Sequence, residues 1–128
     1  MSTDVLKIIS DSMLDMGLAY EFMEWGGKPA YPYFTGEYQE SESMNEDGMQ
    51  EISFILTGHS RGQGSWLLLE EAKEKIKKYF PKTTGKLVTT DSGSVVAIFY
   101  AYSLPIATVV GGLGKIQINL TIKEWSVN

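Results

Sequence analysis

The chain has 128 residues, 43% hydrophobic, 21% charged and 12% aromatic, which is the composition of an ordinary globular protein and not of a disordered one. A net charge of −5 excludes sequence-independent binding of nucleic acid over the surface as a whole. The absence of cysteine excludes a disulfide framework and cysteine-ligated zinc or iron–sulfur centres.

The opening Met1-Ser2-Thr3-Asp4 is acidic and leads directly into an amphipathic pattern, unlike a signal peptide. Over residues 4–16, Val5, Ile8, Ile9, Met13 and Met16 recur at helical intervals, which predicts a short helix. Ser2 or Thr3 can cap it and Gly17 can end it. Leu18, Tyr20 and Phe22 then alternate with Ala19, Glu21 and Met23 as a strand does, until Gly26-Gly27 and Pro29 break the pattern. Residues 31–42 carry four aromatics and three glutamates in a second extended stretch, with Pro32 favouring its beginning or a sheet edge. Residues 43–50 read as a connecting turn, tightest at Asp47-Gly48.

Residues 51–57 follow as a strand with Ile52, Phe54 and Leu56 on one face and Ile55 on the other, so it is placed centrally in a sheet. Gly58, Gly62 and Gly64 predict a flexible loop, after which Ser65 caps a helix running to about Phe80, where Pro81 stops it. The buried stripe of this helix is Leu68, Ala72, Ile76, Tyr79 and Phe80, widened by Leu69. Its other face interleaves Glu70, Glu71 and Glu74 with Lys73, Lys75 and Lys78, a solvated surface of weak i,i+3 and i,i+4 pairs.

Residues 86–91 and 95–102 read as strands flanking the hairpin turn Asp91-Ser92-Gly93. Leu104-Pro105 interrupts, residues 106–110 resume the extended pattern, and residues 111–114 turn again. In the last strand Ile116, Ile118, Leu120 and Ile122 alternate with Gln117, Asn119, Thr121 and Lys123, giving one core face and one polar face. Helix, strands, helix, strands, with no internal repeat and no linker, predict a single α+β domain over residues 1–128. Its sheet is antiparallel or mixed, with long β-hairpins and both amphipathic helices packed on one face.

Gly58-His59-Ser60-Arg61-Gly62 matches the G-x-S-x-G elbow of serine hydrolases. Such a serine needs a histidine base, and the one histidine of the chain is its own neighbour, turned away from it in an extended backbone. A small esterase using Ser60 is therefore the weaker alternative. Gly111-Gly112-Leu113-Gly114-Lys115 lacks the first glycine, the Ser or Thr and the helix of a phosphate loop. Asn45-Glu46-Asp47-Gly48 lacks the remaining ligands of a calcium loop. No catalytic, cofactor or metal site is predicted. The aromatic run Tyr31-Pro32-Tyr33-Phe34 reads either as strand and core or as a contact surface. Met44 and Met49 flank a polar loop where a partner would cover them, and His59 and Arg61 complete the candidate interface.

The order of these elements resembles the tail terminator, or tail completion, proteins of long-tailed bacteriophages and prophages. The starter helix at 4–16, Pro32-Tyr33-Phe34 opening an aromatic strand, the acidic hairpin into 51–57, the helix at 65–80 and the alternating last strand carry the likeness. The resemblance implies a non-enzymatic virion protein, present in the host cytoplasm during assembly. It implies a ring homo-oligomer, commonly a hexamer, that caps the head-proximal end of the tail tube and meets the tube protein and the head connector. An acidic ring would repel passing DNA phosphates. Another head–tail connector or minor tail component is the closest alternative.

Overall fold

Ser2 caps the first helix, α1 (Thr3–Asp15): its hydroxyl accepts the Val5 amide at 3.4 Å and donates to the buried Glu124 carboxylate at 2.7 Å. The helix closes at Gly17, whose φ of 72° lets its amide and that of Leu18 return to the carbonyls of Leu14 and Met13. The computed structural model describes residues 2–27, 31–40, 49–108 and 111–125. Beyond α1 it contains β1 (Ala19–Phe22), β2 (Tyr33–Glu40), β3 (Met49–Arg61), α2 (Ser65–Tyr79), β4 (Lys86–Thr89), β5 (Val95–Pro105) and β6 (Leu113–Trp125).

The strands form one sheet in the order β1-β2-β3-β6-β5-β4. β1 runs parallel to β2, and the other neighbouring pairs are antiparallel, so the sheet is mixed and the fold α+β as expected. The two long strands at its centre, β3 and β6, pair along their whole length from Met49↔Trp125 to Arg61↔Leu113. Period-two alternation then decides the layers. Ile52, Phe54 and Leu56 of β3 and Ile116, Ile118, Leu120 and Ile122 of β6 face the helices and are fully or almost fully buried. Val5, Ile9 and Met13 of α1 and Leu69, Ala72 and Ile76 of α2 close the same core. Both helices thus cover one face, and Lys75 ties them by donating to the Met16 carbonyl at 3.1 Å.

Several boundaries differ from the sequence expectation, each for a local reason. Residues 58–61 are the end of strand β3 and not a loop, because β6 supplies a hydrogen-bonding partner through Arg61 and the ladder outweighs glycine's freedom. The turn is confined to residues 62–64, with Gly62 and Gly64 in the left-handed region. Ser65 is the first residue of α2 and not its cap; Gly64 holds that position without a side-chain bond. Leu69 is buried in the helix stripe and Leu68 faces outward, while Tyr79 is half-buried. β4 ends at Thr89. β5 continues through Leu104-Pro105, where the missing amide of proline falls at the strand's end, and residues 106–108 are not a strand. Leu113 and Gly114 belong to β6. The turn expected at 43–50, up to Gly48, and Val109 and Val110 lie outside the described residues.

Candidate interaction surface

The helices leave the second face of the sheet uncovered. Its rows are built from the odd-numbered residues of the central strands: Glu51, Ser53, Ile55, Thr57, His59 and Arg61 on β3, with Lys115, Gln117, Asn119, Thr121 and Lys123 on β6. Asn119 is buried among its neighbours and the others are not. A bulge in β5 alters the outer part of this face: Tyr100 pairs with Leu120 but Tyr102 with Asn119, leaving Ala101 as the extra residue. The shift turns Tyr102 and Leu104 onto the uncovered side, opposite Asn119 and Gln117, where both are exposed.

Aromatic side chains gather at the end of this face where β2 starts and β3 ends. Tyr33 pairs across the sheet with His59, and His59 with Lys115. The Tyr33 and His59 rings stack with centroids 4.7 Å apart and 16° between planes. Tyr31 and Trp25 lean on the same tyrosine at 5.4 and 4.9 Å. Burial first, and then the neighbouring Lys115 ammonium, hold the His59 imidazole below its usual pKa, so the neutral ring is the one that stacks. Burial and the adjacent Tyr31 push the Tyr33 phenol up. Beside the cluster lies a hollow of about 210 Å³ bounded by Tyr31, Tyr33, His59, Lys115, Thr108 and Leu113. Offset rings with polar tips suit a surface that is partly apolar and partly wet.

The structure divides the sequence-predicted contact residues. Tyr31, Tyr33 and His59 come together, and Arg61 follows on the same strand, exposed and paired with Leu113. Phe34 does not join them: it is fully buried, because adjacent residues of a strand point to opposite faces and Phe34 takes the helix side. Met49 starts β3 opposite Trp125, at the far end from the cluster, and is half-buried. Met44 lies outside the described residues. Trp25 went unpredicted because it adjoins the strand-breaking Gly26-Gly27; an aromatic beside a sharp turn was the available signal. Tyr102 and Leu104 went unpredicted because a bulge leaves no mark on a period-two pattern.

The hydrolase-like string has a structural explanation. Ser60 lies within β3, fully buried on the helix side, while His59 points to the opposite face. The strand-to-helix elbow that would expose a nucleophile is absent at this position. The Ser60 hydroxyl is buried with no hydrogen-bond partner, which costs stability. Ser60→Ala is therefore expected to leave urea-unfolding stability unchanged or raise it by up to about 1–2 kcal/mol. A loss of more than about 1 kcal/mol would mean the hydroxyl is bonded in solution.

Among the described residues, no group of three or more His, Asp and Glu side chains gathers as a metal site would, and no helix is long and apolar enough to cross a membrane. The chain matches no protein-family model and no curated protein.

Proposed function

We propose that this protein acts through its surfaces, as a ring-forming structural component that caps the head-proximal end of a bacteriophage tail tube and joins it to the head. What carries the reading is the uncovered sheet face with its cluster of Trp25, Tyr31, Tyr33 and His59. Aromatic rings with polar tips are enriched where proteins meet one another. Ser60, the residue with the strongest catalytic signature, is spent in the core. The described elements keep the order helix, strands, helix, strands on which the resemblance to terminator proteins was drawn. In this reading the aromatic cluster meets the tube protein or the connector, and the negative charge of the ring keeps DNA from adhering.

The purified chain, alone at high concentration or mixed with tube protein, is expected to form annular particles visible by negative stain, with a multimeric mass by light scattering. Particles assembled without it are expected to carry tails of uncontrolled length. A monomer under all these conditions, together with normal tails in its absence, would overturn the reading.

A further inference from the structure

The two ends of the uncovered sheet face differ in charge. At the end where β3 stops stand Arg61, the single arginine of the chain, and Lys115, beside the Tyr33–His59 stack. Neither cation has an ion-pair partner among the described residues, and the next row, Thr57 and Gln117, is uncharged. The glutamates of the neighbouring edge stand too far off to neutralise them. Glu21 lies on β1, three strands from Lys115 and so about 14 Å away, and its carboxylate accepts the Gly26 amide at 2.6 Å. Glu24 follows Met23, whose amide donates to the Gly36 carbonyl on the row of Leu56, not of His59. At physiological salt a separation beyond about 8 Å is largely screened between exposed charges.

At the other end, where β2 leads into β3, residues 37–51 contain Glu37, Glu40, Glu42, Glu46, Asp47 and Glu51 and no basic residue. Lys123 of β6 faces Glu51 across the register, which leaves a negative excess. Within this stretch the sequence sets one apolar side chain, Met44, between Glu42 and the Glu46-Asp47 pair. The opposite end of the face offers its complement: a hollow of about 210 Å³ between Tyr31, Tyr33 and Lys115, with Arg61 two residues beyond His59. A thioether is well received by aromatic rings, and an arginine fork by carboxylates. The two halves cannot meet within one molecule. They are separated by the 13 residues of β3, about 40 Å, whereas residues 41–48, fixed at both ends, reach out roughly 15 Å at most.

We infer that residues 42–47 of one copy dock on the Arg61–Lys115 end of the next, with Met44 entering the hollow and the flanking carboxylates meeting the two cations. The inference rests on the ring reading above and narrows it, placing a neighbouring copy at the aromatic cluster ahead of tube protein or connector. Trp, Tyr and Arg are the residues that dominate the energetics of protein contacts, and Trp25, Tyr31, Tyr33 and Arg61 supply all three types at one end of one face. Opposite charge fixes the partner and its direction. Such a contact is heterologous: each copy gives its acidic segment to one neighbour and receives that of another, and a constant rotation closes a ring.

The experiment is charge reversal in the full chain, read by sedimentation, with circular dichroism to show each variant folded. A receiving-end variant, Arg61→Glu with Lys115→Glu, and a segment variant, Glu42→Lys with Glu46→Lys and Asp47→Lys, are each expected to weaken self-association at least about tenfold. Tyr31→Ala, which removes one wall of the hollow from a position outside the strands, should do the same and replaces the receiving-end variant should that one not fold. Met44→Ser keeps the charge and should weaken assembly about two- to tenfold; an unchanged value would overturn the hollow as its seat. An equimolar mixture of the two charge variants faces every acidic group with a basic one and is expected to assemble again. Wild-type rings that persist in both variants would overturn this contact and leave ring formation standing, whereas a wild-type chain that never assembles would overturn both. If the receiving-end variant lost only its binding to tube protein and still formed rings, the occupant assigned here would be wrong. A wild-type particle that stopped at two copies would overturn the head-to-tail arrangement.

Discussion

Gly58→Val is expected to cost roughly 3 kcal/mol of folding stability, although the position is an ordinary strand residue that valine should favour. A Cβ at Gly58 would come within 2.6 Å of Cε1 of Phe34 and 3.0 Å of Cγ2 of Ile116. Phe34 lies directly opposite in the register and is fully buried, so its ring has nowhere to retreat. Two effects oppose each other. Replacing glycine in a strand gains about 0.5–1 kcal/mol of backbone entropy, whereas overpacking a closed core costs about 1–3 kcal/mol, sometimes more. Steric conflict wins, because the neighbouring Phe34 and Ile116 atoms belong to the core and not to the end of a flexible surface chain. Urea unfolding of G58V beside G111A makes the check, since a Cβ at Gly111 meets nothing within 4 Å. The control should shift by less than about 0.5 kcal/mol. Trimming the ring in Phe34→Leu should recover part of the Gly58→Val loss, and fully additive costs would mean that the two residues do not touch.

The same observation explains the catalytic-looking string. Gly58 supplies a bed for an aromatic ring on the neighbouring strand, a known device for seating rings in sheets. Gly36 repeats it one strand over, where a Cβ would meet the Tyr20 hydroxyl at 2.6 Å and the Phe54 ring at 2.8 Å. Burial also raises the Tyr20 pKa, so this phenol stays neutral in its pocket. Gly114, the last glycine of the phosphate-loop-like string, lies under Ser65 and Leu69 of α2. Each of these glycines is explained by packing between elements remote in sequence, which no local spacing can report.

Where a physical signal was local, the sequence was legible. Alternation along β6 and the apolar faces of β3 named the core strands and the central place of β3, and Ser2 and Gly17 marked the ends of α1. Where the deciding partner was distant, it was not. The extension of β3 through Arg61 depends on Leu113, and the exposure of Tyr102 depends on a bulge measured against Asn119. Of the cluster, Tyr31, Tyr33 and His59 were named from the sequence and Trp25 was not, but the stacking of Tyr33 on His59 needed the cross-strand register. Phe34 belongs to the same run of aromatics, and only the phase of the alternation separates it from them.

The phase of α2 offers the sharpest contrast. Leu67, Leu68 and Leu69 are consecutive, so both 68-72-76 and 69-72-76 satisfy helical spacing. The structure selects the second: Leu69 is 0% exposed and Leu68 42%. Leu69→Ala is accordingly expected to cost about 2–5 kcal/mol through lost burial and the cavity left behind, and Leu68→Ala less than about 1 kcal/mol. Equal losses would mean the helix is rotated by about a third of a turn from this arrangement. A second substitution tests the contact itself. A Cβ at Gly114 would lie 3.3 Å from Cδ1 of Leu69 and 3.1 Å from Oγ of Ser65, so Gly114→Ala should be destabilising in the native chain. In the Leu69→Ala background the leucine methyl is gone and the added carbon enters the cavity. The cost of Gly114→Ala should shrink there or change sign, a coupling of about 0.5–3 kcal/mol that only residues in contact produce.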